Sequence, residues 1–353
     1  MSLPRPLRVA IQGERGAFSE EAALKLLGAP LKTVPTADFP AMFSSVARHR
    51  AHFCLAPMEN SLVGSIFQNY DLLLQFNLVI RGEVYLKVEH CLIAPLGTYF
   101  EDVKRVYSHP IALDQCQAFF RRHPQLETIS TWDTAGSVQM LTERQEAGAA
   151  AIAGRGAAAY YGAKVIQEGL EDDPANYTRF FLLGLNDPDL AVVVDRFVPG
   201  RVGPPKTSIV FYVENTAGSL HTALHSFASR GIDFTKIESR PVRGKPFEYL
   251  FYLDFLGEPD ATPARDALLE LGRRAGFVRV LGSYPAGRLD WLGSDVPLMP
   301  RPEDPAARPG APPAGERRAG RPDRRRRAAD RRGKAIDPSA GGGQPSGRSQ
   351  SSG

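Results

Sequence analysis

Leu7-Arg8-Val9-Ala10-Ile11, then Gly13-Glu14-Arg15-Gly16, then Ser19-Glu20-Glu21-Ala22-Ala23-Leu24 is the stretch on which the fold class turns. The first run has the apolar, β-branched character of a buried strand. The second is a tight loop, and the third opens a helix with two acids in its first turn. Ser19 is the expected N-cap, because a serine hydroxyl accepts from the orphan N–H groups of a first helical turn. Strand, glycine loop and helix in succession predict an α/β architecture.

The same alternation continues outward. His52 to Pro57 reads as a strand, and Ile66 to Phe76 as a helix with Tyr70, Leu73 and Leu74 on one face. Leu78 to Ala94 is a long β-like run able to pass from one lobe to another. The pattern then restarts with a strand ending near Tyr107, a helix from Pro110 to Arg122, a strand around Thr128 and a helix after Thr134. Ala149 to Ala153 is a small-residue strand, followed by a helix through Tyr161 and a last strand at Arg179 to Leu183. Two sets of βα units over residues 7–186 predict two lobes with a central cleft, a common place for a small ligand.

Pro199-Gly200-Arg201-Val202-Gly203-Pro204-Pro205 is a linker by composition. Beyond it, residues 206–285 read strand (Thr207–Val213), helix (Gly218–Ser229), strand (Asp233–Arg240), strand (Glu248–Phe255), helix (Pro263–Arg274) and strand (Val278–Tyr284). This βαββαβ order predicts a ferredoxin-like domain. Residues 293–353 are of low complexity: from Arg301 on, 9 Gly and 8 Pro occupy 17 of 53 positions, without Leu, Val, Phe, Tyr, Trp, Met or Cys. Such a segment cannot bury enough surface to offset its ordering entropy, so a disordered tail is expected.

Charge follows the same division. The chain of 353 residues has 43 basic and 39 acidic side chains, a net of +4. The part from Arg301 holds 13 basic and 6 acidic ones, which leaves a net of −3 in the first 300 residues. The body therefore gives no charge argument for nucleic-acid binding. Arg324 to Arg327 with Arg331 and Arg332 can attract phosphates, but the tail has no aromatic residue for base stacking; a solvated extension is expected, with nucleic acid unlikely as a partner. No apolar run approaches the roughly 18 residues of a membrane span, and Val9-Ala10-Ile11 before Glu14 and Arg15 is no secretory core. Cys54, Cys91 and Cys116 are too widely spaced for a zinc motif and odd in number for a disulfide framework. A reduced, cytoplasmic protein is the expectation.

Four features bear on chemistry. Gly13-x-x-Gly16 before a helix can cradle an anion or simply make a tight turn. His221 and His225 stand at i,i+4, but no third ligand accompanies them, so no metal is expected. Pro57-Met58-Glu59-Asn60-Ser61 gathers an acid, an amide and a hydroxyl where a strand gives way to a helix, which serves either a ligand or a helix N-cap. Asn176-Tyr177-Thr178-Arg179-Phe180 combines a hydroxyl, an aromatic ring and a guanidinium that can clamp a carboxylate or join a salt bridge.

Taken together, these segments resemble prephenate dehydratase. The resemblance rests on Gly13 to Ser19, Pro57 to Ser61 with Gly64-Ser65, Gly82-Glu83, His90-Cys91-Leu92, Ser108-His109-Pro110, Gln115-Cys116 and Asn176 to Phe180, in that order. Gly218-Ser219-Leu220 and Ile237-Glu238-Ser239-Arg240-Pro241 resemble motifs of the ACT regulatory domain. The resemblance implies a two-lobed catalytic domain of the periplasmic-binding-protein-like type over residues 7–186, an ACT domain over residues 206–285, and no organic cofactor or metal. It implies conversion of prephenate to phenylpyruvate, with Thr178, Glu59, Asn60 and Gln115 as catalytic residues and Ser61, Ser108, His109, Arg179 and Phe180 as substrate-binding ones. Gly218, Ser219, Leu220, Glu238, Ser239, Arg240 and Pro241 would bind phenylalanine as allosteric effector, in a homodimer or homotetramer. Asn69-Tyr70-Asp71-Leu72-Leu73-Leu74 and Asp133-Thr134-Ala135-Gly136 look similar to arogenate dehydratases, and Ala17 and Ile111 depart from many bacterial relatives. Both substrates therefore stay open, with prephenate favoured. A non-catalytic amino-acid-binding protein is the competing class.

Overall fold

Val9, Ala10 and Ile11 are fully buried in strand β1 (Leu7–Gln12), and the glycine loop after it leads into α1 (Phe18–Leu27). The computed structural model describes residues 6–28, 31–190, 194, 203–242 and 244–288; residues 199–202 of the expected linker and the tail expected at 293–353 lie outside them. The chain continues as β2 (Leu31–Thr36), α2 (Phe39–Ala47), β3 (Phe53–Asn60), β4 (Gly64–Ser65), α3 (Phe67–Gln75) and β5 (Val79–Lys87). A second lobe follows: β6 (Cys91–Ala94), β7 (Arg105–Ser108), α4 (Pro110–Asp114), α5 (Gln117–Arg122), β8 (Glu127–Ser130), α6 (Thr134–Arg144), β9 (Ala149–Ala153), α7 (Arg155–Tyr161) and β10 (Lys164–Gln167). Strand β11 (Tyr177–Gly184) then returns to the first lobe.

The first lobe is a sheet of order β2-β1-β3-β11-β5, with β4 paired to β3, and the second is a sheet of order β10-β6-β9-β7-β8. β1 runs parallel to β2 and β3, whereas β11 is antiparallel to both β3 and β5. Every residue of β9, Ala149-Ala150-Ala151-Ile152-Ala153, is buried, as expected of a central strand covered on both faces. The chain is thus an α/β protein with two lobes joined by two crossovers.

The last part comprises β12 (Pro205–Tyr212), α8 (Ser219–Ala228), β13 (Phe234–Pro241), β14 (Tyr249–Leu256), α9 (Thr262–Arg274) and β15 (Phe277–Pro285). Its antiparallel sheet has the order β13-β14-β12-β15. Strand alternation divides its side chains between two cores. Ile209, Phe211, Leu253 and Phe255 pack against Ala223, Phe227, Ala267 and Leu271 of the two helices. Val210, Tyr252, Leu281 and Tyr284 face the other way and join Phe43, Tyr70, Leu73 and Phe181 of the first lobe in one cluster. This sheet is therefore built onto the first lobe. Among the described residues no helix is long and apolar enough to cross a membrane.

Several local expectations need correction. The N-cap of α1 is Ala17, not Ser19, which lies inside the helix. The Glu20 carboxylate instead reaches back to Gly16 N at 2.6 Å and ties the glycine loop to the helix start. The expected strand ending at Pro57 extends to Asn60, so Pro57 to Ser61 is not a helix start. The expected helix from Pro110 to Arg122 breaks at Gln115 and Cys116. Leu78 to Ala94 is two strands separated by a crossover, not one.

Candidate active site

The two crossovers run side by side between the lobes. Val88 N donates to Asn176 O at 2.8 Å and Leu170 N donates to His90 O at 3.0 Å. Beside them lies a cavity of about 260 Å³ between the lobes. Asn60, Thr178 and Phe180 face it from the first lobe, His109 and Gln115 from the second, and His90 from a crossover.

A chain of amides settles the orientation of the polar groups. Asn60 Oδ1 accepts from the N–H groups of Leu62 and Val63, both at 3.0 Å, in the turn after β3. Its amino group must then point the other way. Nδ2 donates to Thr178 Oγ1 at 3.0 Å and to Asn176 Oδ1 at 2.7 Å. Asn176 Nδ2 donates in turn to Gln115 Oε1 at 3.0 Å. Because Gln115 Oε1 is an acceptor, His90 Nε2, 2.9 Å away, carries its proton and donates to it. His90 Nδ1 is then a bare acceptor, buried and without a hydrogen-bond partner among the described residues. Burial holds the His90 pKa below its ordinary value, although the Gln115 bond and nearby Glu171 oppose the shift.

The consequence for Thr178 is specific. Its oxygen is occupied as an acceptor, so its O–H is left to donate. It sits 8% exposed against Phe180 and the other apolar members of the lining, where a hydrogen bond is stronger than in water. Helix starts also meet the cavity: Ser19 lies in the first turn of α1, and Thr134 is the first residue of α6. Asp133 caps α6 by accepting from Gly136 N at 2.6 Å. Burial raises the Asp133 pKa while its backbone hydrogen bonds pull it down.

Other expected site residues stand elsewhere. Arg179 follows Thr178 on β11 and so points to the opposite face, where it pairs with Glu83 and Asp254 rather than a ligand carboxylate. Glu59 precedes Asn60 and likewise turns away, to Lys236 Nζ at 3.0 Å. Ser61 Oγ bonds to Ala175 O at 2.8 Å and Tyr177 N at 2.9 Å, which ties the turn to β11. Ser108 is fully buried and donates to Ile152 O at 2.6 Å. His90, Gln12, Ser19 and Thr134 line the cavity without having been singled out as site residues. His90, Ser19 and Thr134 lie inside quoted motifs, which is the available signal.

A second cavity, of about 410 Å³, opens in the C-terminal part beside Gly218 and Ser219, with Glu214 and Arg274 in its lining. Leu220 packs instead into the helix–sheet core. Glu238 and Arg240 were expected at an effector site, but strand alternation turns both toward the first lobe. Glu238 Oε2 accepts from Ser65 Oγ at 2.6 Å, and Arg240 pairs with Asp71 at 3.2 Å. Ser239 and Pro241 lie on the exposed face of the same strand and line neither cavity.

Residues 9–188 match the sequence profile of prephenate dehydratase. The chain is 43% identical over 288 residues to arogenate dehydratase/prephenate dehydratase 2, chloroplastic, of Arabidopsis thaliana, covering 79% of this chain and 73% of that protein. The solved structure of GqqA, described as a novel type of quorum quenching acylase, superposes with a TM-score of 0.70 at 30% identity, covering 79% of this chain and 98% of that one. Prephenate dehydratase of Arthrobacter aurescens in complex with L-Phe superposes with a TM-score of 0.69 at 30% identity, covering 79% and 90%. A profile match over half of the chain and 43% identity to a relative of that name show that the chain belongs to the prephenate dehydratase family.

Proposed function

We propose that the chain is a hydro-lyase of phenylalanine biosynthesis that converts prephenate to phenylpyruvate, water and carbon dioxide, with residues 7–186 as its catalytic domain. The observation that carries this reading is the Thr178 hydroxyl, which accepts from Asn60 and keeps its O–H for the cavity. In the reaction the bond from C1 to its carboxylate breaks and its electron pair enters the ring. The C4–O bond breaks with its own pair, and the departing oxygen takes up a proton and leaves as water. Aromatisation drives both steps. The protein's task is orientation and support of the leaving hydroxyl. Thr178 donates to that oxygen, and Asn60, by donating into Oγ1, makes the Thr178 O–H a better donor than a free alcohol. Phe180 walls the ring, and Gln115 and His109 complete the polar side.

With Arg179 turned away, the lining described has no Lys or Arg. The substrate carboxylates are then held by the starts of α1 and α6 with the hydroxyls of Ser19 and Thr134, since helix N-termini attract anions. The described lining has no carboxylate either, which favours prephenate, a keto acid, over arogenate, which carries an ammonium group. Arogenate is the second reading, since the Arabidopsis relative at 43% identity carries both activities in its name. Acyl transfer has less support, because no hydroxyl lining the described cavity is hydrogen-bonded to an imidazole.

Residues 206–285 are proposed as an ACT regulatory domain that binds phenylalanine. Its cavity offers Glu214 to an ammonium group, and Arg274 with the start of α8 to a carboxylate. The free edge of β13, with exposed Ile237, suits pairing with a second copy in a homodimer or homotetramer. Three free, buried cysteines fit a reducing, cytoplasmic setting. Purified protein assayed spectrophotometrically with prephenate and with arogenate, each with and without phenylalanine, tests the whole reading. Turnover of prephenate suppressed by phenylalanine is expected, and turnover of neither substrate overturns it.

A further inference from the structure

Thr178 and Asn60 are ladder partners between β11 and β3, and the next pair along the same ladder is Arg179 and Glu59. Successive residues of a strand point to opposite faces. One pair therefore serves the cavity, and its immediate neighbours face the C-terminal sheet.

Arg179 is 4% exposed. Its Nε and Nη2 reach Glu83 Oε2 at 2.8 and 2.6 Å, a partner on β5 of its own sheet. Its other contacts come from the C-terminal sheet: Nη1 stands 2.7 Å from Asp254 Oδ2 on β14, and Nη2 stands 3.4 Å from the Tyr284 hydroxyl on β15. Lys206 Nζ, on β12, lies 2.5 Å from the second oxygen of Glu83. Glu59 Oε1 is held at 3.0 Å by Lys236 of β13, which also donates to Ser65 Oγ at 3.1 Å. Every strand of the C-terminal sheet thus reaches Arg179, its partner Glu83, or Glu59.

The links differ in kind. Glu83 holds Arg179 by an aligned hydrogen bond within one sheet. Asp254 Oδ1 accepts from Ser208 Oγ at 2.5 Å, but Oδ2, facing Arg179, has no aligned hydrogen-bond donor among the described residues. Asp254 Oδ2 is held to Arg179 as an ion pair at 2.7 Å without the alignment that Glu83 has, so a shift of β14 strains this link before the one to Glu83. Buried ion pairs are in general no better for stability than apolar packing, so adhesion between the two parts does not by itself account for four buried charges here.

We infer that Arg179 and Glu59 are positioning residues through which the state of the C-terminal sheet sets the Thr178–Asn60 pair one ladder step away. The inference rests on the functional reading above. It makes the adjacent pairs a mechanical link between effector cavity and reacting hydroxyl: when the effector shifts the sheet, Asp254 and Lys236 move, and the donor geometry at Thr178 changes with them.

Asp254→Asn and Glu59→Gln test it. The Glu59 side chain is 36% exposed, so its variant keeps the assay sound if the buried Asp254 variant does not fold. Phenylalanine binding is measured by calorimetry, and kcat, KM and inhibition by turnover. Both variants are expected to bind phenylalanine within about twofold of the parent yet to lose about tenfold of its effect on turnover. Their kcat should fall while KM stays within about twofold. Variants that are inhibited as the parent is, with unchanged kcat and only a lowered melting temperature, would overturn the inference and leave these residues as adhesive. A parent that turns over neither substrate removes the functional reading and this inference with it, a result distinct from an active parent with unaltered variants.

Discussion

Asn60 Nδ2 donates to Thr178 Oγ1 over 3.0 Å, and that bond decides which way the threonine proton can point. Replacing Thr178 by Ala removes the donor with little change in cavity shape. We expect kcat to fall by about 10²–10⁴-fold, the usual worth of a proton donor at a reacting oxygen, with KM much less affected. Thr178→Ser keeps the O–H and should retain most of the activity. Full turnover by the Ala variant would remove Thr178 from the reaction.

Asn60 has two separable duties, since its carbonyl caps the turn at Leu62 and Val63 while its amino group serves Thr178. Asn60→Asp keeps an acceptor for the turn but presents an acceptor to Thr178, which draws the hydroxyl proton away from the cavity. Its carboxylate also faces Asn176 Oδ1, which accepts from Asn60 Nδ2 at 2.7 Å, so the melting temperature should fall somewhat while kcat drops by about 100-fold, as when an oriented donor is lost. Asn60→Ala should lower both, the stability by about 1 kcal/mol for the uncapped N–H groups. Equal kcat for Asp and the parent would show that Asn60 matters only to the turn.

Gly16 bears on how the lobes meet. Its φ is +81°, and a Cβ there would lie 2.7 Å from Ala157 Cα of the second lobe. Gly16→Ala should therefore cost about 1–2 kcal/mol from left-handed backbone strain alone, and more from the clash, which prises the lobes apart. A lower melting temperature together with a raised KM is expected. An unchanged KM in a folded variant would show that this contact does not shape the cleft.

His90 predicts a pH dependence of stability. Burial lowers its pKa from 6.5 in the folded state, and Nδ1 has no partner for a proton. Between the folded and unfolded values the unfolded chain binds more protons, so stability rises with pH there. Its contribution is complete above about 6.5 and is lost as pH falls toward the folded value. Melting temperatures measured for the parent and for His90→Asn should diverge in slope below about pH 6.5 and run parallel above it. Identical slopes across that range would mean that His90 takes up its proton freely.

These residues also show how far the sequence alone could be read. The α/β alternation and the βαββαβ order were legible because apolar periodicity and turn residues are local signals. Which members of Thr178-Arg179-Phe180 face the cavity was implicit in strand alternation, yet a motif treated as one unit hides it, and Arg179 was misplaced for that reason. The helix break at Gln115 had no local signal. Asp172, far along the chain, accepts from Gln117 N and Ala118 N at 3.0 and 2.7 Å and so supplies a new helix cap. Glu59 and Arg179 found their partners on a sheet more than 70 residues away for Asp254 and more than 170 for Lys236, a pairing that only the docked tertiary structure displays.

Gly218 separates backbone strain from bulk at the effector cavity. It caps α8 with φ +86°, and a Cβ built on it would meet nothing within 4 Å. Space is therefore not what requires glycine; the left-handed conformation is, at about 1–2 kcal/mol for residues other than Asn and Asp. Gly218→Ala should relieve that strain by moving the start of α8, where the phenylalanine carboxylate is proposed to bind, and so weaken binding by about tenfold, the equivalent of roughly 1.4 kcal/mol. Gly218→Val should do little more than Ala, and basal turnover of both should match the parent, because the residue stands in the C-terminal cavity and not in the cleft. Calorimetric titration of phenylalanine into the three proteins gives the answer. An Ala variant that binds as the parent does, beside a Val variant that does not, would show that bulk rather than backbone conformation keeps this position glycine.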